Sequence, residues 1–297
     1  PAMIAPQGNR PRLILAPMEG VVDAVMRDQL TRLSGYERCV TEFVRVSQTL
    51  LPKRVFIRYS PELQQGGATA SGTPVFLQLL GSDPELMAAN AERAAQLGAP
   101  GIDLNFGCPA KTVNRSQGGA ALLRSPDLIR SICERVRERV PHGTPVTAKI
   151  RLGYDTDENF EEILDALAAV ALTEVTIHAR TRRQGYRPPA HWHRLRDARN
   201  RLPFPVIANG ELWTPSDIAR CAELSGSSAF MLGRGALCRP DLGAAIKAYY
   251  RGDAPSSFDW QDARELLIHF LEQNRRLYDP RYAVNPVKQW LVYLKVY

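Results

Sequence analysis

The sequence predicts an α/β fold, a parallel (β/α)8 TIM barrel. Eight short apolar segments alternate along the chain with longer amphipathic ones, the order typical of strands that are each followed by a crossover helix. The strand segments are apolar along their whole length, as expected for strands covered on both faces. Polar residues or glycines stand at their ends, where a barrel carries its functional groups. An open doubly wound sheet is the main alternative.

The predicted strands are rich in Val, Ile and Leu. They span residues 12–17, 38–43, 74–80, 101–106, 145–152, 174–180, 205–210 and 229–235. Helical patterns lie between most of them, at 21–33, 83–97, 125–139, 158–170 and 214–225. Acidic residues between 155 and 162 suit the positive amino-terminal end of the fourth of these helices.

Composition and cysteine usage indicate the cellular compartment of the protein. No run of eighteen apolar residues is present, so the sequence offers no membrane span. The N-terminal segment lacks the apolar core of a signal peptide. The cysteines are odd in number and without a CxxC pair, which argues against a disulfide framework or a zinc ribbon. We therefore expect a reduced, cytoplasmic protein.

The positive charge is concentrated in one segment. The formal net charge is +7, and residues 180–201 alone carry eight arginines against one acid, Asp197. A second basic stretch covers residues 38–58, where Glu42 is the only acid. Such density fits a polyanion such as nucleic acid, although a solvated arginine-rich helix face is the alternative.

The ends of the predicted strands carry the candidate functional groups. In strand order these are Pro17 and Met18, Glu42, Gln78, Asn105 with Cys108, Lys149 with Arg151, His178 with Arg180, Asn209 with Gly210, and Gly233 with Arg234. Core packing alone does not explain polar or glycine chemistry at all eight ends.

Several of these groups suit a flavin. The glycine-containing turns "ANGE" and "LGRG" follow the last two strands and could bind a phosphate together with Arg234. The alternative is that they are ordinary glycine turns with no ligand. Lys149 lies inside an apolar strand, where an ammonium needs an anion or an electron-rich acceptor such as reduced flavin. Gln78 could bond the pyrimidine edge of the ring. His178 could reach the ring or the phosphate, unless it is simply a satisfied core histidine.

The sequence lacks the motifs of other common cofactor and metal sites. No GxGxxG follows a strand, and no GxxxxGK[ST] is present, so neither a Rossmann site nor a P-loop is indicated. The "HWH" at 191–193 has no further ligand pattern, and no metal is expected.

Taken together, the motifs resemble those of the tRNA-dihydrouridine synthase family from about residue 13 to residue 293. They are "LAPMEGVVD" (15–23), "TEFV" (41–44), "QLLG" (78–81), "DLNFGCPAKTV" (103–113), "AKIRLG" (148–153), "IHARTRRQGY" (177–186), "IANGEL" (207–212) and "MLGRGAL" (231–237). "PMEG", "TEFVRV" and "VKQWLVYL" most resemble the bacterial members that act on position 16 of the D-loop.

The resemblance implies a domain organisation and a set of ligands. It implies an FMN-binding catalytic barrel over 11–245 and a small helical tRNA-binding domain over 246–297, whose final helix is expected to stop early at Tyr297. NADPH is the implied electron donor, tRNA the implied substrate, and a monomer the expected state. The implied cofactor-binding residues are Ala16, Pro17, Met18, Gln78, Lys149, His178, Asn209, Gly210, Glu211, Gly233 and Arg234. The implied tRNA-binding residues are Arg45, Asn105, Lys111, Tyr186 and Lys288.

The resemblance also assigns a role to Cys108. The matching cysteine of the family donates a proton to C5 of the uracil, while reduced FMN delivers hydride to C6. A free thiol is mostly protonated at neutral pH, yet it can give its proton to a developing enolate. The alternative for Cys108 is a small buried hydrophobe. The other cysteines are expected to be packing residues.

Two further functions remain open at this stage. The chain could be an FMN barrel that acts on a free pyrimidine, like the dihydroorotate dehydrogenases; the arginine-rich segment argues against this. It could also be a non-catalytic tRNA-binding protein on the same scaffold; the presence of Cys108, Lys149 and Gln78 argues against that.

Overall fold

The computed structural model describes residues 10–255 and 257–295. Within these residues, nine short strands form a single parallel sheet. They are β1 (Arg12–Leu15), β2 (Arg38–Val40), β3 (Val44–Arg45), β4 (Val75–Leu80), β5 (Ile102–Phe106), β6 (Val146–Arg151), β7 (Glu174–His178), β8 (Val206–Asn209) and β9 (Ala229–Leu232).

The sheet closes into an eight-stranded barrel. Its strand order is β2-β1-β9-β8-β7-β6-β5-β4-β3, and β2 also pairs with β4, which joins the two ends. The second barrel strand is divided into β2 and β3. Both pieces pair with β4, through Cys39 opposite Val75 and Val44 opposite Leu79. The predicted (β/α)8 barrel is therefore confirmed, and the doubly wound sheet is excluded.

Helices surround the barrel and continue after it. They are α1 (Ala24–Leu33), α2 (Lys53–Tyr59), α3 (Pro84–Gln96), α4 (Lys111–Arg115), α5 (Pro126–Arg139), α6 (Phe160–Ala168), α7 (Arg194–Arg201), α8 (Pro215–Ser225), α9 (Arg234–Cys238), α10 (Leu242–Arg251), α11 (Trp260–Leu277) and α12 (Asn285–Leu294). The sequence patterns predict α1, α3, α5, α6 and α8 but miss α2 and α7. Those two bury only Phe56, and Leu195 with Ala198, respectively, which is too little apolar surface for a periodic signal.

The last helices pack directly on the barrel. Helix α11 contacts α1, and α12 contacts α9. Trp290 is fully buried between them; its indole N–H donates to the Leu237 carbonyl at 3.0 Å, and its ring meets Phe270 edge-on at 4.9 Å. The predicted domain boundary at residue 245 falls inside α10, and Tyr297 lies outside the described residues.

None of the helices in the described ranges is long and apolar enough to cross a membrane. All five cysteines carry free thiols, and four of them are buried.

Candidate active site

A cavity of about 630 Å³ opens at the carboxyl ends of the barrel strands. Every residue that the sequence predicts for cofactor binding lines it, and Asn105, Cys108 and Tyr186 line it too. The barrel explains this convergence, because parallel strands bring their carboxyl ends to one face although the residues are far apart in sequence.

Asn105 holds the turn that carries Cys108. Its side-chain oxygen accepts hydrogen bonds from the backbone N–H groups of Gly107 at 3.0 Å and Cys108 at 2.9 Å. Its amide nitrogen donates to the side-chain oxygen of Gln78 at 3.0 Å. The sequence predicts contact between Asn105 and the substrate. The structure instead assigns its oxygen to the turn, which leaves one amide N–H for a ligand.

The chain of amides continues to a buried carboxylate. The Gln78 amide nitrogen donates to Asp103 at 2.7 Å, and the Thr147 hydroxyl donates to the other oxygen of Asp103 at 2.6 Å. Burial raises the pKa of Asp103, and the hydrogen bonds from Gln78 and Thr147 oppose that rise because they stabilise the ionised form. In its ionised form the carboxylate only accepts hydrogen bonds. Asp103 therefore fixes which end of the Gln78 amide faces it, and through Gln78 it fixes the orientation of Asn105.

Arg151 and Gly119 support the same turn from two other sides. The Arg151 guanidinium donates to the carbonyl of Gly107 at 2.9 Å and to that of Gly185 at 2.7 Å. Gly119 has φ +59°, and a Cβ there would lie 2.8 Å from the Cys108 carbonyl oxygen. The "QGGA" segment thus packs behind Cys108, and only a glycine fits at this point.

The Cys108 thiol can act as an acid. It is partly exposed to the cavity, and burial raises its pKa above the ordinary value for cysteine. The thiol is therefore protonated at neutral pH, as proton donation requires. The other four cysteines are buried away from the cavity, and burial raises the pKa of Cys39 and Cys221 to about 12.

Lys149 points into the cavity from β6. Burial lowers the pKa of its ammonium to about 8. Within residues 10–255 and 257–295, no carboxylate lies within 4.0 Å of it and no hydrogen-bond acceptor contacts it. A half-buried ammonium that has no hydrogen-bond or ion-pair partner among the described residues favours a ligand with an electron-rich group at this position.

A second group of residues lines the cavity beside Lys149, beginning on the neighbouring strand β7. The Arg180 guanidinium contacts the His178 imidazole at 3.0 Å and forms an ion pair with Glu211. Burial and four neighbouring cations hold the pKa of His178 well below its usual range, so the ring is neutral. Arg234 lies between two rings, 5.0 Å from the centroid of Tyr186 and 4.9 Å from that of Trp213.

The cavity lining carries a small excess of positive charge. Lys149, Arg151, Arg180 and Arg234 line it together with three carboxylates, those of Glu19, Glu42 and Glu211. All four cations act on the His178 ring, so the positive charge is concentrated around that residue. Burial lowers the pKa of Arg151 to about 10 because its positive charge is poorly solvated. The arrangement favours an anionic ligand.

Of the two glycine turns, Gly210 is the more constrained. It has φ +110°, and a Cβ there would lie 2.9 Å from Cδ2 of His178. A Cβ on Gly233 would find ordinary contacts, the nearest at 3.8 Å from the Ala16 side chain. Gly210 is therefore required both by its backbone conformation and by the close approach of His178.

Three predicted tRNA-binding residues lie outside the cavity. Lys288 is exposed on α12. Arg45 is exposed and donates to the Thr112 carbonyl at 3.4 Å. Lys111 lines a separate, smaller cavity. Their roles remain predictions.

The structure also adds lining residues that the sequence patterns did not identify. Trp213 donates its indole N–H to Glu211 at 2.9 Å. Tyr293, on α12, brings the C-terminal helices to the cavity. Trp213 directly follows the "IANGEL" motif, so its position could have been inferred from that motif. No motif indicates Tyr293, because it reaches the site only through the packing of α12.

The arginine-rich segment 180–201 divides into two parts. Arg180 is buried in the cavity wall. On α7, Arg194 pairs with Asp157 at 3.0 Å, and Arg201 pairs with Asp165 through a 2.8 Å hydrogen bond. These pairs tie α7 to α6 and to the loop that precedes α6, so the segment is not one continuous free basic surface.

Across the part of the chain that the structure describes, no group of three or more His, Cys, Asp or Glu side chains could hold a metal ion.

The fold and the cavity define a (β/α)8 barrel enzyme with a protonated thiol and a half-buried lysine at the carboxyl ends of its strands. The profile of the family described as "Dihydrouridine synthase (Dus)" matches residues 14–293. The chain belongs to this family of oxidoreductases that act on tRNA.

Curated relatives are similar over most of their length. The chain is 49% identical to the tRNA-dihydrouridine(16) synthase of Aquipseudomonas alcaligenes, covering 95% of this chain and 90% of the relative. It is 50% identical to the Pseudomonas putida protein of the same name, covering 95% and 88%.

Solved structures with low sequence identity share the fold. The old yellow enzyme homologue of Zymomonas mobilis has a TM-score of 0.54 at 12% identity, covering 84% of this chain and 91% of that one. Histamine dehydrogenase from Rhizobium sp. 4-9 has a TM-score of 0.60 at 15% identity, covering 80% and 46%.

Proposed function

We propose that this protein reduces uridine 16 in the D-loop of tRNA to 5,6-dihydrouridine, with FMN as cofactor and NADPH as electron donor. The observation that carries the proposal is the placement of Cys108 and Lys149 in one cavity. The thiol is protonated at neutral pH, and the ammonium has no protein acceptor within the described residues. The relatives that are about half identical to this chain are named for position 16.

The cavity residues fit FMN. Lys149 would hold the electron-rich N1 and C2 carbonyl edge of the ring. Gln78 has one amide N–H beyond its bond to Asp103, which suits the pyrimidine edge. Arg234 and the turn at Gly210 would hold the phosphate, and the neutral His178 packs against that turn. When bound and reduced, FMN supplies hydride for C6 of the uracil.

The protein residues place the uracil and protonate it. Asn105 and Arg151 fix the Cys108 turn, so that the thiol faces one side of a bound base. The Cys108 S–H then gives its proton to C5 as negative charge develops there. The base must leave its stack to enter the cavity, and the exposed ring of Tyr186 offers a surface for it at the rim.

Contacts outside the cavity would bind the remainder of the tRNA. Arg45, Lys111 and Lys288 would contact its phosphates. The helical region over 246–297 would contribute Lys288, and Tyr293 would link that region to the site. We further propose that the enzyme acts as a monomer in the cytoplasm.

Mapping dihydrouridine in tRNA from cells that lack the protein tests this function. We expect the modification at position 16 to disappear and to return when the wild-type gene is restored. Loss at another position would overturn the assignment to uridine 16. An unchanged tRNA together with a defect in free pyrimidine metabolism would favour the free-pyrimidine alternative.

A further inference from the structure

A second cavity, of about 380 Å³, lies beside the Cys108 turn. It is lined by Lys111, Asn114, Arg115, Tyr154 and Arg182. Lys111 follows Cys108 by three residues, and Nε of Arg182 donates to the carbonyl of Pro109, the residue next to Cys108, at 3.3 Å. The cavity therefore lies on the catalytic face of the barrel, and of its lining residues only Lys111 has a role in the proposed function.

The charge around this cavity is not neutralised. Lys111, Arg115 and Arg182 line it, and the Arg124 guanidinium lies 4.1 Å from the centroid of the Tyr154 ring. Within residues 10–255 and 257–295, none of these four cations has a carboxylate within 4.0 Å. Four unpaired cations around one cavity favour a ligand with concentrated negative charge.

Two of the cations, Arg124 and Arg182, are also held in place before a ligand arrives. Tyr154 contacts two guanidinium groups, that of Arg124 at 4.1 Å and that of Arg182 at 5.1 Å from its ring centroid. The backbone N–H of Arg182 donates to the Gly153 carbonyl at 2.9 Å. Such contacts reduce the side-chain entropy that binding would otherwise cost.

The cavity and the reactive thiol share one rigid turn. The Asn114 amide nitrogen donates to the carbonyls of Cys108 at 2.9 Å and Ala110 at 2.7 Å. An anion held between Lys111 and Arg182 is thereby fixed relative to the Cys108 sulfur.

We propose that this cavity, lined by Lys111, Arg115 and Arg182, binds a backbone phosphate of the tRNA adjacent to the uridine that enters the active site. The proposal rests on the proposed function. A nucleotide whose base lies at Cys108 carries its own phosphates on either side, close to that turn. The 2′-phosphate of NADPH is the other phosphate source, but it sits on the adenosine, at the opposite end of the coenzyme from the reacting nicotinamide.

Salt titrations of tRNA binding test the proposal. Unmodified tRNA transcript is bound to the oxidised, FMN-loaded protein at several salt concentrations. We expect Lys111→Gln and Arg182→Gln each to weaken binding and to lower the slope of log K against log salt by about one. Arg182→Lys, which keeps the charge, should restore the slope. Arg201→Gln is the matched control, because Arg201 is paired with Asp165 on α7.

The outcomes separate the alternatives. If Arg182→Gln fails to fold, Arg115→Gln tests the same cavity from an exposed position. Wild-type binding and slope in both Lys111→Gln and Arg115→Gln would overturn the proposal. A raised KM for NADPH with unchanged tRNA binding would also overturn it, by assigning the cavity to the coenzyme phosphate. If the wild-type protein itself binds no tRNA, the proposed function fails first.

Discussion

The side-chain oxygen of Asn105 accepts the backbone N–H of Cys108 at 2.9 Å, and this contact fixes the turn that presents the thiol. The orientation of Asn105 depends in turn on Gln78 and on the buried carboxylate of Asp103. Asn105, which the sequence predicts as a substrate contact, thus also supports the turn that carries the Cys108 thiol in this fold.

The first prediction tests this support with an isosteric change. In Asn105→Asp the side chain can still accept both turn N–H groups, but it can no longer donate to Gln78. Two acceptor oxygens then face each other in a buried site, which costs about 1–3 kcal/mol. We expect urea unfolding to show that loss and single-turnover uridine reduction to slow. A variant with wild-type stability and rate would show that the orientation of the amide chain does not matter.

The second prediction concerns the flavin. Purified protein should be yellow and should release FMN, not FAD, on heating, as identified by mass spectrometry. Gly210→Ala should lose the flavin, because the added Cβ would lie 2.9 Å from His178.

Gly72→Ala is the matched control for that substitution. Gly72 also has a positive φ, +90°, but a Cβ there has no atom within 4 Å. Both variants carry a backbone strain of about 1–2 kcal/mol, so only Gly210→Ala should lose FMN. Equal flavin loss in the two variants, or FAD in the wild type, would contradict the account.

The third prediction follows from the lowered pKa of Lys149, about 8 against 10.5 for a free side chain. Between these pH values the unfolded chain holds a proton that the folded, flavin-free protein does not. Stability should therefore rise with pH across this window by roughly 3 kcal/mol relative to Lys149→Met.

Urea unfolding of flavin-free wild type and Lys149→Met at pH 7 and pH 10.5 measures this difference, since the other titrating groups are common to both proteins. The variant should be the more stable protein at pH 7, where the burial penalty is complete. A difference in stability that does not change with pH would mean that Lys149 keeps its ordinary pKa.

The fourth prediction concerns binding of the RNA away from the cavity. Arg45 and Lys288 are exposed and outside the cavity. Replacing either one with Ala should weaken tRNA binding and lower the salt slope by about one, while NADPH still reduces the flavin at the wild-type rate. If both variants bind tRNA like the wild type, other basic residues must provide the electrostatic contribution to tRNA binding.

Much of the fold could be predicted from the sequence, because continuous apolar strands separated by amphipathic helices are compatible with few folds other than a parallel barrel. It could also be predicted that Lys149, His178 and Gly210 line one cavity, because a barrel brings the ends of its strands together. The hydrogen bonds that hold the Cys108 turn could not be predicted from the sequence. It depends on strand register, which places Gln78 opposite Asp103 and Asn105 opposite Lys149.

The arginine-rich segment shows a second limit. Its charge is visible in the sequence, but its partners are not, and Asp157 and Asp165 lie on other parts of the chain. Pairing on α7 turns much of the apparent basic surface into structural contacts. The unpaired cations that remain near Tyr154 come from three separate segments, and only the fold brings them together.

Single-turnover oxidation of the prereduced protein by unmodified tRNA tests the central claim, that Cys108 protonates a uridine of tRNA. Cys108→Ala should retain FMN and bind tRNA with wild-type affinity, because it removes only the proton donor. In the wild type, tRNA should oxidise the flavin and gain dihydrouridine; in the variant, it should leave the flavin reduced. Oxidation of the variant by tRNA at the wild-type rate, with dihydrouridine formed, would show that another group supplies the proton.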